Sequence, residues 1–116
     1  MTQTETRIDP ADLPAVVHTY LTAHDAHDID AALTAFTDDA VVVDEGRAHR
    51  GKEAIAAWMR QAASEYTYTS RLTGARRSDG ADWVATHHLE GDFPGGVVDL
   101  DQRFTLADGL ITDLSI

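Results

Sequence analysis

Apolar residues recur along this chain at two spacings, and the change from one to the other divides it. Leu13, Val16 or Val17, Tyr20, Leu21 and His24 fall on one helical face, so a first helix is predicted from a cap at Asp12 to about Ala26. Asp28 reads as the cap of a second, short helix carrying Ile29, Ala32, Leu33 and Phe36 and closed by the polar Thr37-Asp38-Asp39. Ala40 to Val43 is a short β-branched run between turn signals, the mark of a buried strand, and it ends on one carboxylate, Asp44, before Glu45-Gly46. After Gly51 the helical period returns. Ile55, Trp58, Met59 and Ala62 lie at i, i+3, i+4 and i+7, which predicts a third helix that follows Asp44 and can roof it.

From Tyr66 the period becomes two. Tyr66, Tyr68, Ser70 and Leu72 alternate with Thr67, Thr69, Arg71 and Thr73, and Arg76 to Gly80 is expected to turn. Trp83 to Glu90 follows, with Trp83, Ala85, His87 and Leu89 on its apolar side and His88 facing out. Gly91 to Gly96, with Pro94 inside, breaks the strand. Val98, Leu100, Gln102, Phe104 and Leu106 are the inner set of the next strand, opposite Val97, Asp99, Asp101, Arg103 and Thr105. Asp108-Gly109 turns into a last strand, Leu110 to Ile116. The pattern is an α+β domain: three helices on one face of a strongly curved antiparallel sheet, a cone with a cavity.

Composition narrows the partners. A chain of 116 residues with 43% hydrophobic content supports one core, assigned to residues 12–116 after a flexible segment at 1–11. The formal charge of −11 repels phosphate backbones and anionic lipid, so neither nucleic acid nor membrane is an expected partner. There is no cysteine, hence no thiolate ligand or nucleophile, and the polar start Met1 to Thr6 lacks a signal-peptide core, which reads as cytoplasmic. The histidines form no ligand constellation, and neither a metal nor a cofactor is expected.

Asp28-Ile29-Asp30-Ala31, Phe36 to Asp44, His49 to Trp58 and Asp108 to Ile111 together resemble the nuclear transport factor 2-like superfamily, in its SnoaL-like polyketide cyclase and ketosteroid isomerase branches. The resemblance runs from Asp12 to Ile116 and implies a cystatin-like cone. In the isomerases, which also illustrate carboxyl tuning in general accounts of catalysis, an oxyanion-hole tyrosine lies eight residues before the acidic start of the second helix, as Tyr20 does before Asp28. The general base ends the first strand, where Asp44 stands. The second donor, a protonated aspartic acid, falls at Gln102, and a third-helix tyrosine is replaced by Met59. The resemblance further implies a homodimer through the outer sheet surface, near Val97, Thr105, Thr67 and Thr69.

The candidate chemistry is proton transfer beside a carbonyl. Asp44 would be the base, Tyr20 and Gln102 would steady the enolate oxygen, and His87 would be a second acid or base. Phe36, Trp58, Met59, Tyr68, Leu89, Leu100 and Phe104 would wall a hydrophobic pocket for an apolar carbonyl compound, turned over by isomerisation or cyclisation. Two alternatives stay open: a non-catalytic binding or accessory domain, and, ranked last, epoxide hydrolysis, implied by a resemblance of Asp101 and Arg103 to another branch of the superfamily that uses an Asp-Arg-Asp set, although strand parity places both on the outer face.

Overall fold

The computed structural model describes residues 5–65, 67–78 and 82–116. Tyr66 and, of the segment expected to turn, Asp79 and Gly80 lie outside them. The chain runs β1 (Glu5–Ile8), a 3-10 turn (Pro10–Asp12), α1 (Ala15–Asp25), α2 (Ile29–Leu33), β2 (Phe36–Asp44), β3 (Arg47–Arg50), α3 (Lys52–Glu65), β4 (Tyr68–Ser78), β5 (Trp83–Gly91), β6 (Val97–Ala107) and β7 (Leu110–Ser115). The strands form one curved, unclosed sheet in the order β1-β4-β5-β6-β7-β2-β3. Among the described residues no helix is long and apolar enough to cross a membrane.

The expected α+β architecture holds, with three helices against a curved sheet, and differs in its edges and ends. The sheet is not wholly antiparallel: β2 runs parallel to β7, with Val41 to Val43 beside Asp113 to Ser115. The segment expected to be flexible contains β1, because β4 runs on through Arg76 and Arg77 instead of turning and offers it a partner from Ala75 to Ser78. Glu5 then meets Arg103 at 2.7 Å and Arg76 at 3.5 Å. At the other edge β3, which carries no apolar alternation, is held by a hairpin whose two turn residues, Glu45 and Gly46, have φ of 51° and 79°, the type I′ geometry that matches strand twist.

Two helix boundaries also move. Residues preceding proline are driven to extended backbone, so Leu13 (ψ 146°) before Pro14 separates Asp12 from α1, whose N-cap is Pro14 with no side-chain cap, while Asp9 caps the 3-10 turn by accepting from Ala11 N–H at 2.9 Å. Asp28 does cap α2, accepting from Ala31 N–H at 3.1 Å. Phe36, expected on that helix, opens β2 instead, beside a hydrogen bond from Ile111 N–H to the Ala35 carbonyl.

The core lies between the helices and one face of the sheet. Val17, Tyr20, Phe36, Val42, Ile55, Phe104, Ile111 and Leu114 are essentially inaccessible there. Leu72, Leu89 and Leu100 are half-buried. The outer face is polar: Arg76 reaches Asp101 at 2.7 Å, Thr86 donates to the same carboxylate, and Arg103 pairs with Glu5. Parity along β6 is as expected, with Leu100, Gln102 and Phe104 turned inward and Asp101 and Arg103 outward.

Candidate functional site

A cavity of about 550 Å³ opens between α1, α3 and the inner face of β4, β5 and β6. That volume suits a drug-sized organic ligand. Its wall contains Asp44, Trp58, Tyr68, His87, Leu89, Leu100 and Gln102 from the predicted set.

Asp44 owes its position to the tight hairpin. The turn at Glu45-Gly46 ends β2, so the carboxylate closes the strand at Asp44↔Arg47 and lies under the following helix. From α3 the Trp58 indole N–H donates to Asp44 Oδ2 at 3.0 Å. The roof predicted from helical spacing is therefore a hydrogen-bonded one. It orients the carboxylate by one oxygen and leaves Oδ1 without a protein donor among the described residues.

Across the cavity, His87 is 4% exposed and its Nδ1 has no partner. Burial holds its pKa below the ordinary imidazole value, against a smaller upward pull from Asp25, and nearby His24 lowers it further. His24 is lowered for the same first reason. Burial thus favours the neutral form of both rings. Gln102 Oε1 is likewise buried and unpartnered. Buried polar atoms without partners cost about 1–3 kcal/mol each, and two such atoms belong to residues of the cavity wall.

Tyr20 is placed otherwise than expected. It does not line the cavity; its ring is fully buried, meeting Phe36, His24 and Phe104 edge-on at centroid separations of 5.3, 5.7 and 5.8 Å. Its hydroxyl has no partner, and burial, followed by the charges of Tyr68, Asp44 and Asp25, pushes its pKa far above the usual phenol range. Phe36, Met59 and Phe104, expected as ligand contacts, are also packed behind the wall, because the helices fill that end of the cone with side chains.

The profile of the SnoaL-like domain family matches residues 17–114. The chain belongs to the SnoaL-like domain family. A crystal structure of a proposed polyketide cyclase from Sinorhizobium meliloti is 35% identical, with a TM-score of 0.85, and the alignment covers 93% of this chain and 98% of that one. A Δ5-3-ketosteroid isomerase from Mycobacterium sp. shares the fold at 23% identity and a TM-score of 0.69, covering 87% and 88% of the two chains. So does Rv0760c from Mycobacterium tuberculosis, solved with estradiol-17β-hemisuccinate, at 20% identity and 0.69, covering 86% and 88%. No curated protein matches the chain.

This SnoaL-like domain carries site residues that pattern reading missed. Asp25, Glu45 and Glu65 line the cavity and are exposed, so they border its mouth, and Phe93 lines it too. Asp25 was legible: Leu21, His24 and Asp25 sit at i, i+3 and i+4 of α1, one stripe facing the cavity. The wall is thus amphipathic rather than hydrophobic. Val97, expected on an outer patch, is 56% exposed and borders the cavity.

Proposed function

We propose that this SnoaL-like domain is a cofactor-independent isomerase or cyclase acting on a carbonyl compound by proton transfer, with Asp44 as the base. The observation that carries the reading is the carboxylate of Asp44, fixed through one oxygen by the Trp58 indole at 3.0 Å, on the wall of a cavity of about 550 Å³. An oriented carboxylate needs no metal to remove a proton from carbon when the negative charge can move onto an adjacent carbonyl oxygen and be met there by donors.

The free oxygen of Asp44 takes the proton α to the carbonyl, and the electron pair of that C–H bond passes into the enolate. The Gln102 amide and the His87 ring, both on the inner face of the sheet, donate to the enolate oxygen. Neutral imidazole is the useful form, since it donates a hydrogen bond without protonating the Asp44 carboxylate. The proton on Asp44 then returns to the γ-carbon, which migrates the double bond, or the enolate carbon attacks a second carbonyl of the same molecule and closes a ring, the C–O π pair becoming an alkoxide that takes the proton from Asp44. Tyr20 acts through the wall, backing His24 with its ring.

The test is turnover of a β,γ-unsaturated ketone, followed by absorbance of the conjugated product. Asp44→Asn keeps the shape of the carboxylate and removes its basicity, so rate should collapse while binding persists. Turnover that survives in Asp44→Asn defeats the reading. A second reading, binding without reaction, is favoured by one feature: at Gln102 an amide stands where an acid proton would stabilise the enolate more strongly.

A further inference from the structure

We infer that His49, on the edge strand β3, is a positioning residue: its ring holds the Trp58 indole, and through it the Asp44 carboxylate, in the orientation that leaves one oxygen free to take a proton. The inference rests on the proton-transfer reading and adds to it the residue that sets the base.

Asp44 closes β2 directly opposite Arg47, yet that guanidinium is exposed and makes no ion pair with it among the described residues. The group that meets the carboxylate is neutral, the Trp58 indole N–H at 3.0 Å from Oδ2. An indole turns about a broad, roughly two-fold torsion, and only one edge of the ring carries a donor. Trp58 is 8% exposed, beside the buried Ile55 and Met59 on α3, so an N–H turned away from Asp44 would face apolar packing. Packing alone does not choose between the two settings.

The His49 ring is placed to choose. It lies 6.0 Å from the Trp58 ring, centroid to centroid, and is tilted by 33° to it, inside the range in which aromatic rings attract. The two-residue turn Glu45-Gly46 fixes the register of β2 and β3 without slack, pairing Val42 with His49 and Asp44 with Arg47. Residues directly opposite in a ladder share a face, so His49 stands on the side of buried Val42 and of Asp44. The chain then turns at Gly51, whose N–H donates to the Ala40 carbonyl at 2.8 Å and whose carbonyl accepts from Ile55 N–H at 3.0 Å, and α3 brings Trp58 back over that face. Of the four residues of β3 only His49 is half-buried. Imidazole, indole and carboxylate thus make one line of contact from the sheet edge to the base.

Three variants separate ring from polarity: His49→Phe keeps a ring, His49→Gln keeps a polar group without one, and His49→Ala keeps neither. The first readout needs no turnover. The Trp58 indole N–H resonance, assigned by its loss in Trp58→Phe, should move in His49→Ala and His49→Gln toward its position in Asp44→Ala and exchange with deuterated solvent at least about fivefold faster. His49→Phe should keep the parent's signal. The second readout is turnover of a β,γ-unsaturated ketone, where His49→Ala and His49→Gln should lower kcat about tenfold with KM nearly unchanged, because a slight misplacement of the base is costly. His49→Phe should retain the parent rate. An unmoved resonance in His49→Ala, recovery with glutamine but not phenylalanine, a moved resonance with unchanged kcat, or a loss confined to KM or to the unfolding midpoint overturns the inference. Turnover absent from the parent, or kept by Asp44→Asn, overturns the proton-transfer reading instead, and the indole resonance still decides whether His49 sets the carboxylate.

Discussion

His87 and His88 are consecutive on β5, yet their rings meet opposite surroundings. His88 faces out, with Asp99 at 2.7 Å and Glu90 at 3.1 Å on its two ring nitrogens, and these hydrogen bonds raise its pKa above the ordinary value. His87 faces in, is buried, lacks a partner at Nδ1 and titrates below that value. Across the sheet, Arg76 and Arg103 pair with Asp101 and Glu5 on the outer face, although Arg76 Nε and Arg103 Nη1 make no hydrogen bond, and Gln102 Oε1 on the inner face makes none either. The outer face is laced with ion pairs, whereas the polar groups on the inner face of β5 and β6 make no ion pair among the described residues.

The largest expected contrast is in stability. Phe104→Ala removes a fully buried ring from the inner face and should cost about 3–5 kcal/mol in denaturant unfolding. Arg103→Ala, on the reverse face of the same strand, should cost about 1 kcal/mol or less, because its ion pairs are partly exposed. Comparable losses would erase the distinction between faces. In catalysis, Asp44→Asn should lower kcat for an unsaturated ketone by about 10²–10⁴-fold while ligand affinity changes little. Gln102→Asp should raise the rate by about tenfold, about 1.4 kcal/mol of barrier, if the introduced acid stays protonated in the cavity. An inert Gln102→Asp alongside an inert parent would favour binding without reaction.

The smallest effect is the most discriminating, since its sign differs between the two histidines. For His88 the folded pKa is raised, so its contribution is fully present below the unfolded value of about 6.5 and is lost as pH rises through the folded pKa. For His87 the folded pKa is lowered, so the unfolded chain takes up a proton first as pH falls through about 6.5, and stability declines toward acid. His87→Gln should therefore lose less stability than the parent between pH 7 and pH 5, and His88→Gln more. NMR titration of the two rings should place their midpoints on opposite sides of 6.5; midpoints on the same side would break the comparison.

Much of this was readable before any coordinates. Period-two alternation assigned Leu100, Gln102 and Phe104 to one face and Asp101 and Arg103 to the other, because a pleated strand admits no other arrangement. Helical spacing brought Trp58 over Asp44 for the same kind of reason. Strands β1 and β3 escaped detection because Glu5 to Ile8 and Arg47 to Arg50 carry no apolar alternation; they exist through backbone pairing to a longer neighbour. Depth is the other illegible quantity. Tyr20, Phe36, Met59 and Phe104 face inward as expected, but periodicity gives a direction and not a distance, so it could not separate the wall of the cavity from the packing behind it.

The sheet does not close, and so its two outermost strands, β1 and β3, leave unsatisfied backbone groups along both ends of a seven-strand ribbon. Such a ribbon could in principle polymerise, each copy adding its first strand to the last strand of another. Side-chain charge opposes this: Glu5 and Arg7 stand on one border, and Arg47 and Arg50 on the other, so docking a second copy would strip water from charges at every register. Replacing the exposed Arg47 and Arg50 by threonine and valine should therefore promote edge-to-edge association, read as growth in particle size by light scattering.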